Sequence, residues 1–184
     1  SSSGGSTASA NNFLACMVSD EGGFDDKSFN ETSFKGLKDA EAKLGVKIKD
    51  QQSQTTADYA KNVQMMVDSK CDIIVTVGFA LGDATAASAK ANPDIDYAIV
   101  DFAYDTPEKN VKGLTFNTAE PAFLAGYLAA SITKTGTVGT YGGAPYPTVT
   151  IFMDGFAQGV EYYNKTKGKS VKVVGWDRAS KNGT

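Results

Sequence analysis

The hydrophobic positions of this chain follow two alternating patterns from residue 12 onward. Short apolar runs bounded by polar residues are typical of buried strands in a parallel sheet. Between these runs, apolar residues recur every three or four positions, which predicts amphipathic helices. The predicted strands lie within residues 13–18, 46–50, 72–78, 96–105, 112–117, 136–143 and 171–177. The predicted helices are residues 33–45, 56–69, 83–91, 121–133 and 148–166.

This order of elements predicts an α/β fold with a parallel sheet and right-handed crossovers. In such sheets, ligands bind beyond the carboxyl ends of the strands. The residues that directly follow three of the apolar runs are therefore candidates for a binding site. They are residues 19–30, 77–83 and 101–105.

The same patterns predict a division of the chain into three parts. Residues 1–11 are rich in Ser and Gly and predict a flexible linker, either the segment behind the lipidated cysteine of a bacterial lipoprotein or a cloning tail. Residues 12–134 form a first α/β lobe, and residues 135–184 begin a second one. Because two strands and one helix are too few for a stable domain, we expect the second lobe to be truncated; the alternative is a small appendage.

Composition excludes several kinds of site. The 184 residues contain no histidine and two cysteines, which excludes a Ser-His-Asp triad, a His-ligated zinc and an all-cysteine metal site. The net charge of −3 and a sequence pI of about 5.0 argue against a nucleic-acid partner. No apolar run is long enough to predict a membrane span. We expect no metal and no cofactor.

One segment carries a specific resemblance. The string VSDEGGFDDKSFNE at residues 18–31 closely resembles the ligand loop of the basic membrane protein (BMP) family of solute-binding lipoproteins. These proteins are purine nucleoside receptors of bacterial ABC importers. The similarity continues through IIVTVGFALGDA, YAIVDFAYD, EPAFLAGYLAA, GTVGTYGG, GVEYYN and VKVVGWD, so it covers nearly all of residues 13–177. It implies a type I periplasmic-binding-protein-like fold, in which two α/β lobes enclose the ligand.

The resemblance also implies roles for four residues of the first lobe. Asp20 matches an aspartate that contacts the nucleoside, and Phe29 matches the aromatic residue that stacks on the base. Asn30 would add a polar contact, and Asp101 would accept hydrogen bonds from the ribose hydroxyls. These residue types suit an uncharged nucleoside, because aromatic rings stack on bases and a carboxylate can accept two bonds from a diol.

Simpler interpretations of the same residues stay open. Phe29 could be a core residue under a loop, and Asp101 could only form a turn. Asp25 and Asp26 are more simply a solvated pair ahead of a helix, with Asp26 or Ser28 capping that helix.

The function that the resemblance implies is transport rather than catalysis. The chain would be an extracellular lipoprotein that captures nucleosides and delivers them to the permease of an ABC transporter. It would touch the membrane only through a lipid anchor upstream of Ser1. The alternatives are a sugar receptor of the same architecture and a carboxylate-based nucleoside hydrolase.

The two cysteines predict a disulfide. Cys16 lies in the first strand, and Cys71 directly precedes the strand that we place beside it. Neighbouring strands lie about 4.8 Å apart, which a disulfide can bridge, and an exported protein meets an oxidising environment. The alternative is two buried free thiols.

Overall fold

The computed structural model describes residues 12–183, so the predicted linker at residues 1–11 lies outside the described residues. The chain divides into two compact units, Ser1–Thr115 and Phe116–Thr184. Within the described part, no helix combines the length and the apolar character that crossing a membrane requires.

The first unit contains a five-stranded parallel sheet with the strand order β2-β1-β3-β4-β5. The predicted parallel α/β architecture is therefore confirmed. The order places β3 between β1 and β4, so the carboxyl ends of these three strands are neighbours. The strands are β1 (Leu14–Val18), β2 (Lys47–Gln51), β3 (Ile73–Val77), β4 (Asp96–Val100) and β5 (Val111–Leu114). The helices are α1 (Phe29–Leu44), α2 (Tyr59–Asp68) and α3 (Gly82–Ala91), and short 3-10 turns precede α2 and α3.

Both faces of the three inner strands, β1, β3 and β4, are largely buried, as expected for parallel strands. Successive residues of β1 point to opposite faces: Cys16 and Val18 belong to one apolar cluster, and Ala15 and Met17 belong to the other. Helices α2 and α3 contribute to the first cluster, and α1 contributes Leu37 to the second. Helices thus cover both sides and leave the strand ends as the place for a site.

A disulfide links Cys16 of β1 to Cys71, which lies two residues ahead of β3, as the sequence predicts. The two Cα atoms are 6.0 Å apart, and both side chains are buried in the first cluster. The bond joins the middle of β1 to the segment ahead of the neighbouring strand β3, away from the carboxyl ends that carry the candidate site.

The second unit contains two helices and a two-stranded parallel sheet. Its elements are α4 (Ala119–Ile132), β6 (Thr137–Gly139), α5 (Pro147–Lys167) and β7 (Lys172–Val174). Helices α4 and α5 approach so closely that a Cβ atom on Gly126 would lie 1.9 Å from the Phe156 carbonyl oxygen, and one on Gly159 would lie 2.0 Å from that of Phe123. We predicted that helix α4 belongs to the first lobe; this packing instead groups it with α5 in the second unit.

Candidate functional site

The candidate site begins at the carboxyl ends of β1, β3 and β4. Asp20, Gly78 and Asp101 follow these strands within two residues. The Gly78 amide donates to the Val100 carbonyl oxygen at 3.0 Å, which fixes the exit of β3 against β4. Gly78 has a φ of +104°, and a Cβ atom there would lie 2.7 Å from Asp20 Oδ2. The Asp20 carboxylate therefore lies directly against the glycine that ends the neighbouring strand.

Helix α1 begins at Phe29, four residues before the predicted start at residue 33. The reason is a cap that the hydrophobic pattern does not encode. The Asp26 carboxylate accepts hydrogen bonds from the backbone N–H groups of Ser28 (2.8 Å), Glu31 (3.0 Å) and Asn30 (3.2 Å). The Ser28 side chain makes no capping hydrogen bond. Of the two capping residues considered, Asp26 therefore performs this role.

These bonds also determine the charge state of Asp26. Burial acts to raise its pKa, but the hydrogen bonds from the Glu31, Ser28 and Asn30 backbones outweigh that effect, so the pKa lies below its ordinary value. Asp26 is therefore ionised at neutral pH.

Asn30 lies beneath the loop and is only 2% exposed. Its side-chain nitrogen donates to Asp20 Oδ1 at 2.7 Å and to Asp26 Oδ2 at 2.9 Å. Both amide hydrogens are therefore used within the protein, whereas the resemblance implied a contact with the ligand. Its Oδ1 atom is buried and has no hydrogen-bond partner in residues 12–183.

Asp101 directly follows β4 and is 9% exposed. It has a φ of +63°, which is uncommon for a residue other than glycine, and its backbone N–H donates to the Leu114 carbonyl oxygen at 2.8 Å. Burial raises the pKa of its carboxyl group. Holding a residue other than glycine in this backbone conformation costs stability, and residues held in this way are often found at functional sites.

Phe29 occupies the first position of α1 and is 40% exposed. The core position under this loop is filled by Phe24 instead, whose ring stacks on that of Phe34 with centroids 4.4 Å apart. The interpretation of Phe29 as a core residue is therefore wrong.

Two aromatic residues that the sequence analysis did not single out support the segment after Asp101. The Tyr104 hydroxyl donates to the Gly82 carbonyl oxygen at 2.7 Å, and its ring packs edge-to-face on Phe102. Burial raises the pKa of Tyr104 to about 12. Both rings thus anchor this segment to the start of α3. Within residues 12–183, no group of three or more Asp, Glu or Cys residues is arranged to hold a metal ion.

Comparison with known proteins assigns this chain to a family. The family model for the "ABC transporter substrate-binding protein PnrA-like" family matches residues 13–182. The chain belongs to this family. Basic membrane protein A of Borreliella burgdorferi is 35% identical over 157 residues, which cover 84% of this chain and 46% of that protein. The "ABC transporter nucleoside-binding protein BmpA" of Lactococcus lactis is 36% identical over 151 residues, 80% of this chain and 43% of that protein.

The solved structure of a solute-binding protein agrees with the fold. A solute-binding protein of an ABC transporter system from Aeropyrum pernix K1 aligns with a TM-score of 0.76 at 30% identity, covering 88% of this chain and 46% of that one. The expected solute-binding α/β fold is therefore confirmed. The chain spans about half the length of the relatives that it matches.

Proposed function

We propose that this protein captures purine nucleosides at the extracellular face of a bacterial membrane and delivers them to an ABC importer. The observation that carries the proposal is the combination of a half-exposed aromatic ring, Phe29, with two carboxylates, Asp20 and Asp101, at the carboxyl edge of one sheet. The naming of the Lactococcus lactis relative as a nucleoside-binding protein supports the ligand class. The protein acts as a binding component and not as an enzyme, and a lipid anchor upstream of Ser1 holds it at the membrane.

Each residue has a distinct role in this proposal. Phe29 stacks on the base, which is worth about 1–3 kcal/mol for one aromatic face. Asp101 accepts hydrogen bonds from the ribose hydroxyls, and Asp20 accepts one from the nucleoside. Asn30 contributes by holding Asp20 rather than by touching the ligand, because both of its amide hydrogens are already used.

The start of helix α1 supports an uncharged ligand. Free N–H groups at a helix N-terminus bind phosphate readily. Here the Asp26 carboxylate accepts the N–H groups of Ser28, Asn30 and Glu31, so these donors do not face an anionic ligand. The negative charge of Asp26 and Asp20 would also repel a phosphate. We therefore expect nucleosides to bind and nucleotides to bind poorly.

The test is a calorimetric titration of the protein expressed from its complete reading frame. Guanosine, inosine, adenosine, cytidine, a nucleotide and several sugars are titrated in parallel. Saturable binding of purine nucleosides supports the proposal. Tight binding of a sugar without any nucleoside response would favour the sugar receptor, and cleavage of inosine would favour the hydrolase.

A further inference from the structure

The carboxylate of Asp26 is connected to the proposed ligand residue Asp20 by one intervening side chain. Asp26 Oδ2 accepts a hydrogen bond from the Asn30 side chain at 2.9 Å, and the same nitrogen donates to Asp20 Oδ1 at 2.7 Å. An amide nitrogen carries two hydrogens, so one points at each carboxylate. The three side chains form a continuous line from the helix cap to the site.

This arrangement allows only one orientation of the Asn30 amide. Rotating the amide by half a turn would bring Oδ1, an acceptor, against two carboxylate oxygens that carry negative charge. Asp26 is ionised and is itself held by three backbone N–H groups, so it does not adjust to such a rotation. The buried and unpartnered Oδ1 of Asn30 shows that the amide orientation follows the carboxylates even though an acceptor is left without a bond.

The orientation of Asn30 in turn selects which oxygen of Asp20 faces the ligand. Asp20 Oδ1 accepts from both the Asn30 amide and the Gly22 backbone N–H, the latter at 2.9 Å. Asp20 Oδ2 lies on the side of Gly78 and accepts no hydrogen bond from residues 12–183. The protein thus immobilises one oxygen and leaves the other to accept a bond from a ligand.

We infer that Asp26 is a positioning residue for ligand binding, which acts on Asp20 through Asn30 in addition to capping helix α1. The inference rests on the proposed function, because it assigns Asp26 a role in binding the same nucleoside. A side chain that is held in place before the ligand arrives loses less freedom on binding, so its removal weakens affinity without removing any contact to the ligand.

A double-mutant cycle distinguishes this role from capping alone. Asp26→Asn presents a donor where the network needs an acceptor, and we expect it to weaken nucleoside affinity about tenfold. In the Asp20→Asn background, where the carboxylate to be positioned is already gone, Asp26→Asn should change affinity by less than about twofold. Equal losses in both backgrounds, or no loss in the first, would overturn the inference.

Asp58→Asn is the matched control for the loss of a cap. Asp58 accepts hydrogen bonds from the Gln54 and Thr55 backbone N–H groups ahead of α2 and has no bond to Asp20. Asp58→Asn and Asp26→Asn should both lower Tm, but only Asp26→Asn should weaken affinity. A similar loss of affinity in both variants would assign the effect to general destabilisation and contradict the inference.

An NMR measurement separates failure of the inference from failure of the proposed function. If the wild-type protein binds no nucleoside, the proposed function fails, but the link between Asp26 and Asp20 can still be measured. Asp26→Asn should then shift the side-chain amide signals of Asn30 and the carboxyl carbon signal of Asp20. An Asp20 signal that stays unmoved would refute the positioning role independently of any ligand.

Discussion

The backbone of Gly78 packs directly against the carboxylate of Asp20: a Cβ atom on Gly78 would lie 2.7 Å from Asp20 Oδ2. No real Cβ atom tolerates such a distance, so any side chain at position 78 must displace Asp20. The absence of a side chain at the end of β3 is therefore what leaves room for the carboxylate at the end of β1. Gly78 therefore shapes the proposed site although it carries no functional group.

The substitution Gly78→Ala should therefore weaken both folding and binding. Its φ of +104° is unfavourable for alanine, and the added methyl group displaces Asp20, so we expect a loss of roughly 1–3 kcal/mol in the free energy of unfolding. We also expect a loss of nucleoside affinity. Denaturant unfolding and calorimetry measure the two effects.

The matched control is Gly45→Ala, at the end of helix α1. Gly45 also has a positive φ, +68°, but a Cβ atom there meets nothing within 4 Å. It should lower stability by about 1–2 kcal/mol and leave affinity unchanged. If Gly78→Ala and Gly45→Ala both retain full affinity, the packing of Gly78 on Asp20 has no functional importance.

Asp101→Asn should stabilise the protein while weakening ligand binding. Asparagine tolerates the φ of +63° and carries no charge to be buried. It would also lose the charge-assisted hydrogen bonds that we propose between Asp101 and the ribose hydroxyls, each worth about 1.5–3 kcal/mol. Thermal unfolding and calorimetry of one sample give both values.

The stability difference between Asp101→Asn and the wild type should depend on pH. Because burial raises the pKa of Asp101 above 3.8, its protonated form is the one that favours folding. That contribution is fully present below the ordinary pKa and is lost as pH rises through the raised value. The stability of Asp101→Asn relative to the wild type should therefore be greater at about pH 7 than at about pH 3. A stability difference between the two proteins that is the same at both pH values would contradict a buried, ionisable Asp101.

The elements of this fold could be predicted from the sequence because they follow from hydrophobic periodicity. The strand pattern also placed Asp20 and Asp101 at one edge of the sheet, and the resemblance supplied their roles. The start of α1 could not be predicted from periodicity, which put it at residue 33. The residue types did name Asp26 or Ser28 as candidate caps, but only the structure shows that the Asp26 carboxylate folds back onto three N–H groups and that the helix begins at Phe29. The burial of Asn30 was missed as well, because residue 30 lies ahead of the helix start that the periodicity predicted.

The grouping of α4 with α5 was missed for a different physical reason. Apolar spacing shows that α4 has a face to bury but does not show which element covers it. The decisive feature is a set of small residues that lets two backbones touch. Gly155 and Gly159 of α5 are such residues, and both lie against the backbone of α4.

We expect Gly159→Ala to destabilise the second unit strongly. The added Cβ would lie 2.0 Å from the Phe123 carbonyl oxygen, which is backbone and cannot rotate away. The helices must separate, at a cost of about 1–3 kcal/mol or more. Gly143→Ala is the control, because a Cβ atom there meets nothing within 4 Å. Equal unfolding midpoints for the two variants in denaturant would contradict the close packing of α4 on α5.

Reduction of the disulfide should lower the stability of the first unit. Cys16 and Cys71 are separated by 55 positions, and opening a loop of that length costs roughly 4 kcal/mol in the chain-entropy model. Unfolding with and without reductant measures the loss. Intact mass after alkylation without reductant checks the bond itself, since uptake of two alkyl groups would show that both thiols are free.

Binding of a nucleoside through Phe29 is the central claim, and calorimetry on two variants of that residue tests it most directly. Phe29→Leu removes the aromatic face but keeps an apolar side chain, whereas Phe29→Tyr keeps the face. We expect purine nucleosides to bind the wild type and Phe29→Tyr with similar affinity, and Phe29→Leu about ten- to a hundredfold more weakly. Equal affinity of all three proteins, or tight binding of a sugar with no response to any nucleoside, would contradict the account.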